Sequence, residues 1–590
     1  MTAEVAAAAS DTNGAPTGRH RARKPGGPAG SGGSGAPGGG TERSLSSRVA
    51  AATRWSLLNT VVIRVGNFAL GVVLARYFLG PGEWGLYAVG LLVLNVLLSA
   101  NEMGVSLAVV RWEGDVRRFA PTVLTLSFAN SLLLYALLFV SAPAIAAALG
   151  SDDAVWMVRV LCLAVVIDGL ACVPHGVITR EFLQGRRMAI DFTVFVVSGA
   201  TTLVLAGLGA GAMSFAWGSV AGSVSSLIGS VLAAPGYLRF GWDGEQARKL
   251  LRFGLPLAGA SVLVLAMLNV DSAVVGAILG PAALGLYQIA FNVSSWPVRS
   301  LSEAARRVSF AGFSRIADDP RELAAGFTRA LSLLLGAAAP ICALLAVLAE
   351  PIIEFIYGSQ WRGAAAALRF LAILGLLRVA YELSYDCLSA SHRRKSLLAV
   401  QSFWLVALIP VLIVFARWRG IEGVAQGHVV VGVLVAAGFL LSLASAGIPA
   451  GRVIRTSLVP LVGGVACAIA AWCVHQVAGE GFANLVASTV AGLLAYAPFV
   501  PVLLRRIRSS SAAGTPAPGA PGAAGADGPT VPLRRRRDAA DPSAADTVVL
   551  QRPGFPPRPS VPLVTIEWRR PHATDRGSAS TSNHRTPSES

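Results

Sequence analysis

The chain has 590 residues, of which 54% are hydrophobic and only 14% are charged, and its mean hydropathy is +0.60. This composition excludes an ordinary soluble domain and is typical of a protein that crosses a membrane many times. The net charge of +17 comes mostly from arginines, many of them in short segments beside apolar runs. Membrane topology therefore explains the charge better than nucleic-acid binding does.

Fourteen apolar runs follow a polar stretch of Gly, Ala, Ser, Pro and Arg. Each run is long enough to cross about 30 Å of hydrocarbon as a helix. The polar stretch, and the Pro/Ala/Gly-rich stretch after the last run, have the composition of disordered tails. The predicted helices are 56–79, 86–107, 119–141, 155–176, 190–208, 212–234, 253–279, 283–300, 329–349, 366–389, 397–416, 422–446, 457–478 and 482–504.

Two short stretches that lie 200 residues apart repeat each other. LGPGEWGLY (Leu79–Tyr87) and LGPAALGLY (Leu279–Tyr287) are identical at six of nine positions, and each joins two apolar runs. In both, a Gly-Pro pair ends one helix and Gly-Leu-Tyr opens the next, which predicts a tight turn at a membrane surface. The repeat indicates two homologous halves, and related halves in a membrane are typical of alternating-access transporters.

The repeat and the apolar runs together predict the fold class. It is an all-α, polytopic membrane protein with about fourteen transmembrane helices, in two pseudo-symmetric six-helix lobes plus two C-terminal helices. The predicted domains are a disordered cytoplasmic N-tail (1–48), a first lobe (49–235), a cytoplasmic linker (236–252), a second lobe (253–446), the last two helices (447–508) and a disordered cytoplasmic C-tail (509–590).

The loop arginines predict the orientation. If the N-terminus is cytoplasmic, the cytoplasmic segments hold 27 Lys and Arg, and the outer loops hold three, Arg362, Arg417 and Arg419. The positive-inside rule then predicts a multi-pass protein of the cell membrane with both termini in the cytoplasm. The outer loops are too short for the catalytic loop of a saccharide polymerase, and no nucleophile–base pair or metal cluster stands out. The sequence therefore predicts no enzyme, cofactor or metal.

Polar residues recur on single faces of several apolar runs, where exposure to lipid would be costly. We therefore predict a water-accessible cavity between the lobes. Its predicted residues are Arg64, Asn67, Asn95, Ser99, Asn292, Arg299, Arg378, Tyr381 and Tyr385. Arg64 and Arg378 would receive an anionic headgroup, because the guanidinium offers forked donors to phosphate oxygens. Asp271 is the predicted carboxylate for proton or cation coupling, and Asp168 is the second choice.

Structural roles compete with these assignments. Arg378 and Glu382 are four residues apart, so they are placed to neutralise each other on one helix. Arg76 and Arg159 lie near outer helix ends and have the positions of snorkelling side chains. Isolated histidines such as His428 are predicted to be structural.

Four blocks of sequence carry a resemblance to a known family. They are LARYFLGPGEWGLYAVG (Leu74–Gly90), MGVSLAVVR (Met103–Arg111), NVDSAVVGAILGPAALGLYQIA (Asn269–Ala290) and EPIIEFIYGSQWRGAAAALRFLAI (Glu350–Ile373). Together they resemble the polysaccharide-biosynthesis flippases of the multidrug/oligosaccharidyl-lipid/polysaccharide exporter superfamily. The resemblance implies a V-shaped cavity that opens alternately to each side, and it places Asp271 at the acidic position of the family before the second Gly-Pro turn.

The resemblance also implies a function. The expected cargo is a polyprenyl-diphosphate-linked oligosaccharide, moved from the inner to the outer leaflet for cell-surface polysaccharide synthesis. Membrane lipids, a polysaccharide polymerase and glycosyltransferases are the expected partners, and nucleic acid is not. Two alternatives within the superfamily are a small-molecule exporter and a lipid II flippase. A third alternative is a non-transporting scaffold of the cell envelope that acts through its tails and Arg534–Arg537.

Overall fold

The protein is built from helices. A computed structural model describes residues 62–102, 116–477, 479 and 481–512, and no residue within these ranges is in a strand. The predicted N-tail, the predicted C-tail beyond 512 and the block Met103–Arg111 lie outside the described residues. The helices are α1 (62–77), α2 (Pro81–Glu102), α3 (Val116–Ala148), α4 (Ala154–Arg180), α5 (Gln184–Gly207), α6 (Met213–Ala233), α7 (Gly244–Ile316), α8 (Pro320–Val347), α9 (Ala349–Tyr357), α10 (Ala364–Ala390), α11 (Arg394–Ser445), α12 (Ala450–Val477), α13 (Phe482–Tyr496) and α14 (Phe499–Ala512).

Two of these helices are interrupted by residues with non-helical backbone angles. In α7 the interruption is Gly280, at φ 81° and ψ 177°. In α11 it is Arg419 and Gly420, and Gly420 has a φ of 62°. Glycine adopts a positive φ without the steric cost that a side chain brings. The resulting halves are α7a (244–279), α7b (281–316), α11a (394–418) and α11b (421–445).

Ten helices in the described part of the chain are long and apolar enough to cross a membrane, or eleven if α13 and α14, which are bent by 41°, form one span. Two of the ten contain the interruptions in α7 and α11, so each of them joins two of the predicted helices. The described part of α1 (62–77) is too short to be counted as a span. These features account for the difference from the fourteen predicted helices. The predicted all-α, multi-span membrane fold is confirmed.

The helices pack in two groups that correspond to the two halves of the sequence. In the first lobe, α4 packs against α2, α3 and α6, and α5 packs against α6. In the second lobe, α10 packs against α7, α8 and α11, and α12 covers α8. Among the candidate spans in the described part of the chain, α10 is the most deeply buried. The lobes meet where α2 packs along α7.

The two repeated turns lock into each other at this junction. A Cβ atom added at Gly85 would lie 1.7 Å from the carbonyl oxygen of Pro281, and one added at Gly285 would lie 2.1 Å from the carbonyl oxygen of Pro81. Each copy of the motif thus places its glycine against the proline carbonyl of the other copy. This reciprocal contact is what a pseudo-two-fold relation between the halves requires. We call the end of the bundle that contains these turns the turn end.

Candidate transport site

Further contacts close the lobes against each other at the turn end. Trp361 is fully buried, and its Nε1 donates to the carbonyl oxygen of Ala75 in α1 at 2.8 Å. In return, the guanidinium of Arg76 donates to the backbone carbonyls of Phe355 and Ile356 at the end of α9. Arg76 is exposed, whereas Trp361 Nε1 and the Ala75 carbonyl are buried, and a buried donor or acceptor is costly to leave unpaired. The turn end is therefore a well-packed seal between the lobes.

Replacement of Trp361 by phenylalanine is expected to destabilise the folded protein by about 1–3 kcal/mol, because the variant loses a buried hydrogen bond and leaves a cavity. The measurement is thermal unfolding of the purified protein in detergent. The matched control is Trp156→Phe, at a tryptophan that is 64% exposed. Equal unfolding temperatures for the two variants would show that the hydrogen bond to Ala75 does not hold the seal.

On the side of the seal away from the turns, α1 contacts α7b. The rings of Phe68 and Trp296 lie with their centroids 4.7 Å apart. Arg64 lies four residues from Phe68 and Arg299 three residues from Trp296, in both cases on the side away from the turn end. One helical turn rises about 5.4 Å, so the two arginines lie at a similar depth. Both side chains are exposed on the protein surface.

The other predicted cavity residues of the first lobe have mixed environments. Asn67 is exposed, as Arg64 is, whereas Asn95 is partly buried and Ser99 is buried in α2. The predicted stripe of α2 therefore points partly into packing between helices. Small polar groups that hydrogen-bond between helices stabilise membrane bundles, so Ser99 has the environment of such a residue.

In the second lobe, the predicted residues divide between surface and interior. Asn292 and Tyr385 are exposed, and the Arg378 guanidinium lies 5.7 Å from the centroid of the Phe291 ring. Tyr381 is different: it is buried, and its hydroxyl donates to the carbonyl oxygen of Gly432 in α11b. These contacts hold α10 against α11b.

A buried polar cluster surrounds Asp271. Only 5% of this residue is exposed, and its Oδ2 accepts a hydrogen bond of 2.8 Å from the Tyr287 hydroxyl. Its Oδ1 accepts another of 2.8 Å from the backbone N–H of Ser272. The His428 Nε2 of α11b lies 3.6 Å from Oδ2. The structure thus brings α7a, α7b and α11b together around one carboxylate.

Sequence reasoning named Asp271 as the coupling carboxylate but did not include Tyr287 or His428 beside it. Tyr287 is the last residue of the second repeated turn, so its place beside the carboxylate depends on how the chain reverses at Gly280. His428 is an isolated polar residue in an apolar run, and no local pattern connects it with residue 271. Its location in the cluster requires the packing of α11 on α7.

The second-choice carboxylate, Asp168, lies in a separate cluster in the first lobe. It is hydrogen-bonded to Asn101, whose side-chain oxygen accepts from Asn130 Nδ2 at 3.2 Å. Within the described residues, no group of three or more His, Cys, Asp or Glu side chains is arranged to hold a metal ion. The two carboxylates are thus held by uncharged hydrogen-bonding groups and, for Asp271, by a histidine.

Comparison with known proteins identifies the family. Residues 73–366 match the family described as polysaccharide biosynthesis protein. The chain belongs to this family. The lipopolysaccharide biosynthesis protein WzxC of Escherichia coli is 25% identical over 404 residues, which cover 66% of this chain and 80% of WzxC. The succinoglycan biosynthesis transport protein ExoT of Rhizobium meliloti is 26% identical, over 54% of this chain and 64% of ExoT.

Solved structures place this family member in a transporter fold. The lipid II flippase MurJ in an inward closed conformation superposes with a TM-score of 0.63, at 15% identity, over 77% of this chain and 99% of MurJ. An inward-facing multidrug transporter of the MATE family and MOP superfamily gives a TM-score of 0.51, at 18% identity, over 68% of this chain and 99% of its own. The resemblance predicted from the sequence is confirmed: the protein is a membrane transport protein of polysaccharide biosynthesis and not an enzyme.

Proposed function

We propose that the protein moves a polyprenyl-diphosphate-linked oligosaccharide from the inner to the outer leaflet of the cell membrane for the synthesis of a surface polysaccharide. The observation that supports this cargo is the placing of Arg64 and Arg299 at a similar depth beside the Phe68–Trp296 contact. Arg378 of α10 adds a third guanidinium, which lies beside Phe291 of α7b.

The physical task explains why arginines are needed. A sugar–diphosphate headgroup cannot cross hydrocarbon without a polar path, because transfer of unpaired polar and charged groups out of water is prohibitively costly. Guanidinium groups bind phosphate oxygens in a forked, bidentate geometry. The polyprenyl tail has no such requirement, so it stays in the lipid beside the lobes while the headgroup crosses between them.

The proposed transport cycle is alternating access. The positive-inside prediction assigns the turn end to the outer surface and both termini to the cytoplasm. With the turn end sealed by the interlocked turns, the arrangement corresponds to a state that is closed to the outside. A second state would separate Gly85 from Pro281 and Gly285 from Pro81, and so release the headgroup outside. Asp271 is the proposed coupling carboxylate and Asp168 the second choice, with polymerase and glycosyltransferases as proposed partners.

Replacement of the three arginines proposed to bind the headgroup tests the cargo. Arg64→Ala, Arg299→Ala and Arg378→Ala are each expected to lower surface polysaccharide by about tenfold or more in a flippase-deficient strain, because each loses a charge-assisted hydrogen bond to phosphate. Lipid-linked oligosaccharide should accumulate on the cytoplasmic side. The control is Arg452→Ala, at an exposed arginine near the start of α12.

Each outcome of this test separates the candidate functions. Full restoration of polysaccharide by all three variants at normal expression would contradict the flippase proposal and favour a scaffold that acts through its tails. Loss of polysaccharide without accumulation of the lipid-linked precursor would place the defect before the flipping step. Only the combined loss and accumulation supports transport of the lipid-linked headgroup.

A further inference from the structure

The segment that joins the two lobes is fixed to α3. The backbone N–H of Asp243 donates to Thr122 Oγ1 at 3.1 Å, and the N–H of Gly241 donates to Thr125 Oγ1 at 3.1 Å. Thr125 Oγ1 also lies 2.9 Å from the carbonyl oxygen of Gly241. Backbone N–H and C=O groups outside helices have no helical partners, so here they form hydrogen bonds with side chains. The connection is therefore a defined wall of the molecule.

This wall and the first described residues of α3 line a partly open cavity of about 220 Å³. Arg117 and Arg239 line it from opposite elements, together with Tyr237 and small or proline residues, and none of the lining residues within the described part of the chain is acidic. The Arg117 guanidinium lies 5.9 Å from the centroid of the Tyr237 ring. We call this cavity the linker pocket. Its two guanidinium groups make it a cationic pocket.

The linker pocket lies at the surface of the membrane. It adjoins the beginning of the candidate span Val116–Ala148 and the end of the candidate span Met213–Ala233. Two neighbouring aromatic residues, Phe240 and Trp242, are 59% and 65% exposed. Exposed tryptophan and arginine at the end of a span are typical of the headgroup region of a bilayer.

We propose that the linker pocket binds the phosphate of an anionic lipid in the adjacent leaflet. Basic pockets between membrane spans bind anionic headgroups, and guanidinium groups on two different elements allow one phosphate to be held from both sides. The phosphate has two sources with the same chemistry, an ordinary anionic phospholipid and a polyprenyl phosphate. The linker pocket does not include the arginines of the proposed transport path, so a test of lipid binding here does not depend on the identity of the cargo.

A bound lipid would also act on the junction of the lobes. Arg239 belongs to the connection between α6 and α7, whereas Arg117 belongs to α3. A phosphate held by both residues stabilises the docked form of the connection, because a ligand stabilises the state that it binds. The lipid is thus positioned to set how firmly the second lobe is attached to the first.

Lipid titration of the purified full-length protein tests this proposal. Dioleoyl phosphatidylglycerol is added in detergent, bound lipid is counted by native mass spectrometry, and dioleoyl phosphatidylcholine serves as the uncharged comparison. Arg117→Gln/Arg239→Gln is expected to bind phosphatidylglycerol about thirtyfold more weakly than the wild type. The control Arg118→Gln/Arg248→Gln removes the same charge from two exposed neighbours and is expected to change binding by about fivefold or less.

Three further results decide the interpretation. Arg117→Lys/Arg239→Lys retains the charges but not the forked donors, so it is expected to bind more weakly than the wild type and more tightly than the glutamine variant, which keeps the test valid if the glutamine variant unfolds. Displacement of phosphatidylglycerol by undecaprenyl phosphate would identify the carrier lipid as the preferred ligand, and lack of displacement would identify phospholipid. Wild-type binding by the glutamine variant, an equal loss in the control, or equal binding of phosphatidylcholine would overturn the proposal.

Discussion

A methyl group added at Gly85 or at Gly285 is expected to lower transport by about 5- to 150-fold. The overpacking destabilises only the state in which the turns interlock, by about 1–3 kcal/mol, and so disturbs the balance between the two states of the transport cycle. The added carbon would lie 1.7 Å from the Pro281 carbonyl oxygen in the first case and 2.1 Å from the Pro81 carbonyl oxygen in the second. These distances are far inside van der Waals contact, so the turns must move apart. Surface polysaccharide in a flippase-deficient strain measures the loss.

The same substitution is expected to open the turn end to water. Ser151 lies buried in the loop between α3 and α4, beside Gly150, which packs against the Gly276 carbonyl. A cysteine at this position, in a Cys473→Ser background, should react slowly with an impermeant maleimide in the wild type. It should react faster when Gly85 is replaced by alanine. The rate of labelling reports the fraction of molecules with a closed turn end, and it can be measured whatever the cargo is.

Gly82→Ala is the matched control, because this glycine is in the same turn and an added Cβ would meet no atom within 4 Å. Its transport is expected to stay within about twofold of the wild type. The double variant of Gly85 and Gly285 should lose less transport than the two single losses combined, because both substitutions disrupt the same interlock of the two turns. A control as impaired as Gly85→Ala would mean that the turn is sensitive to any alanine and that the interlock has no special role.

Much of this architecture is predictable from the sequence, and the repeated turns show why. The helices follow from apolar runs of sufficient length, which are a local property. The relation between Leu79–Tyr87 and Leu279–Tyr287 follows from identical residues in equivalent settings. The contact between Gly85 and Pro281 does not follow, because the sequence contains no information about which surfaces of the two halves face each other.

In the candidate site, too, some features can be predicted from the sequence and others depend on the tertiary fold. Asp271 is recognisable because a carboxylate in an apolar run is costly unless it has partners. Tyr381 shares a stripe with Arg378 in the sequence, yet its hydroxyl points into the contact with α11b. Residues three apart on a helix differ in direction by about 60°, which is enough to separate a cavity face from a packed one. His428 needs the tertiary fold, since its partner lies on another helix.

Asp271→Asn is expected to remove the response of transport to an ion gradient, with a loss of about 5- to 150-fold, the size of a typical coupling free energy of 1–3 kcal/mol. Asparagine retains the shape: its single side-chain oxygen can still accept from the Ser272 N–H, and its NH2 group can donate to the oxygen of the Tyr287 hydroxyl, so the fold should persist. It cannot carry the charge that binds a proton or another cation. The measurement is flux of a lipid-linked oligosaccharide in proteoliposomes with and without a proton or sodium gradient.

The neighbours of Asp271 determine what such a result means. Tyr287→Phe removes one hydrogen bond to the carboxylate and keeps its charge, so a smaller loss of about tenfold or less is expected. His428→Gln removes the imidazole that lies 3.6 Å from the carboxylate and is likewise expected to cause a smaller loss than Asp271→Asn, because the carboxylate and its charge remain. Asp168→Asn is the control in the other lobe. If Asp271→Asn still responds fully to both gradients while Asp168→Asn does not, the coupling carboxylate lies in the first lobe, and the cluster around Asp271 serves to hold α7 against α11.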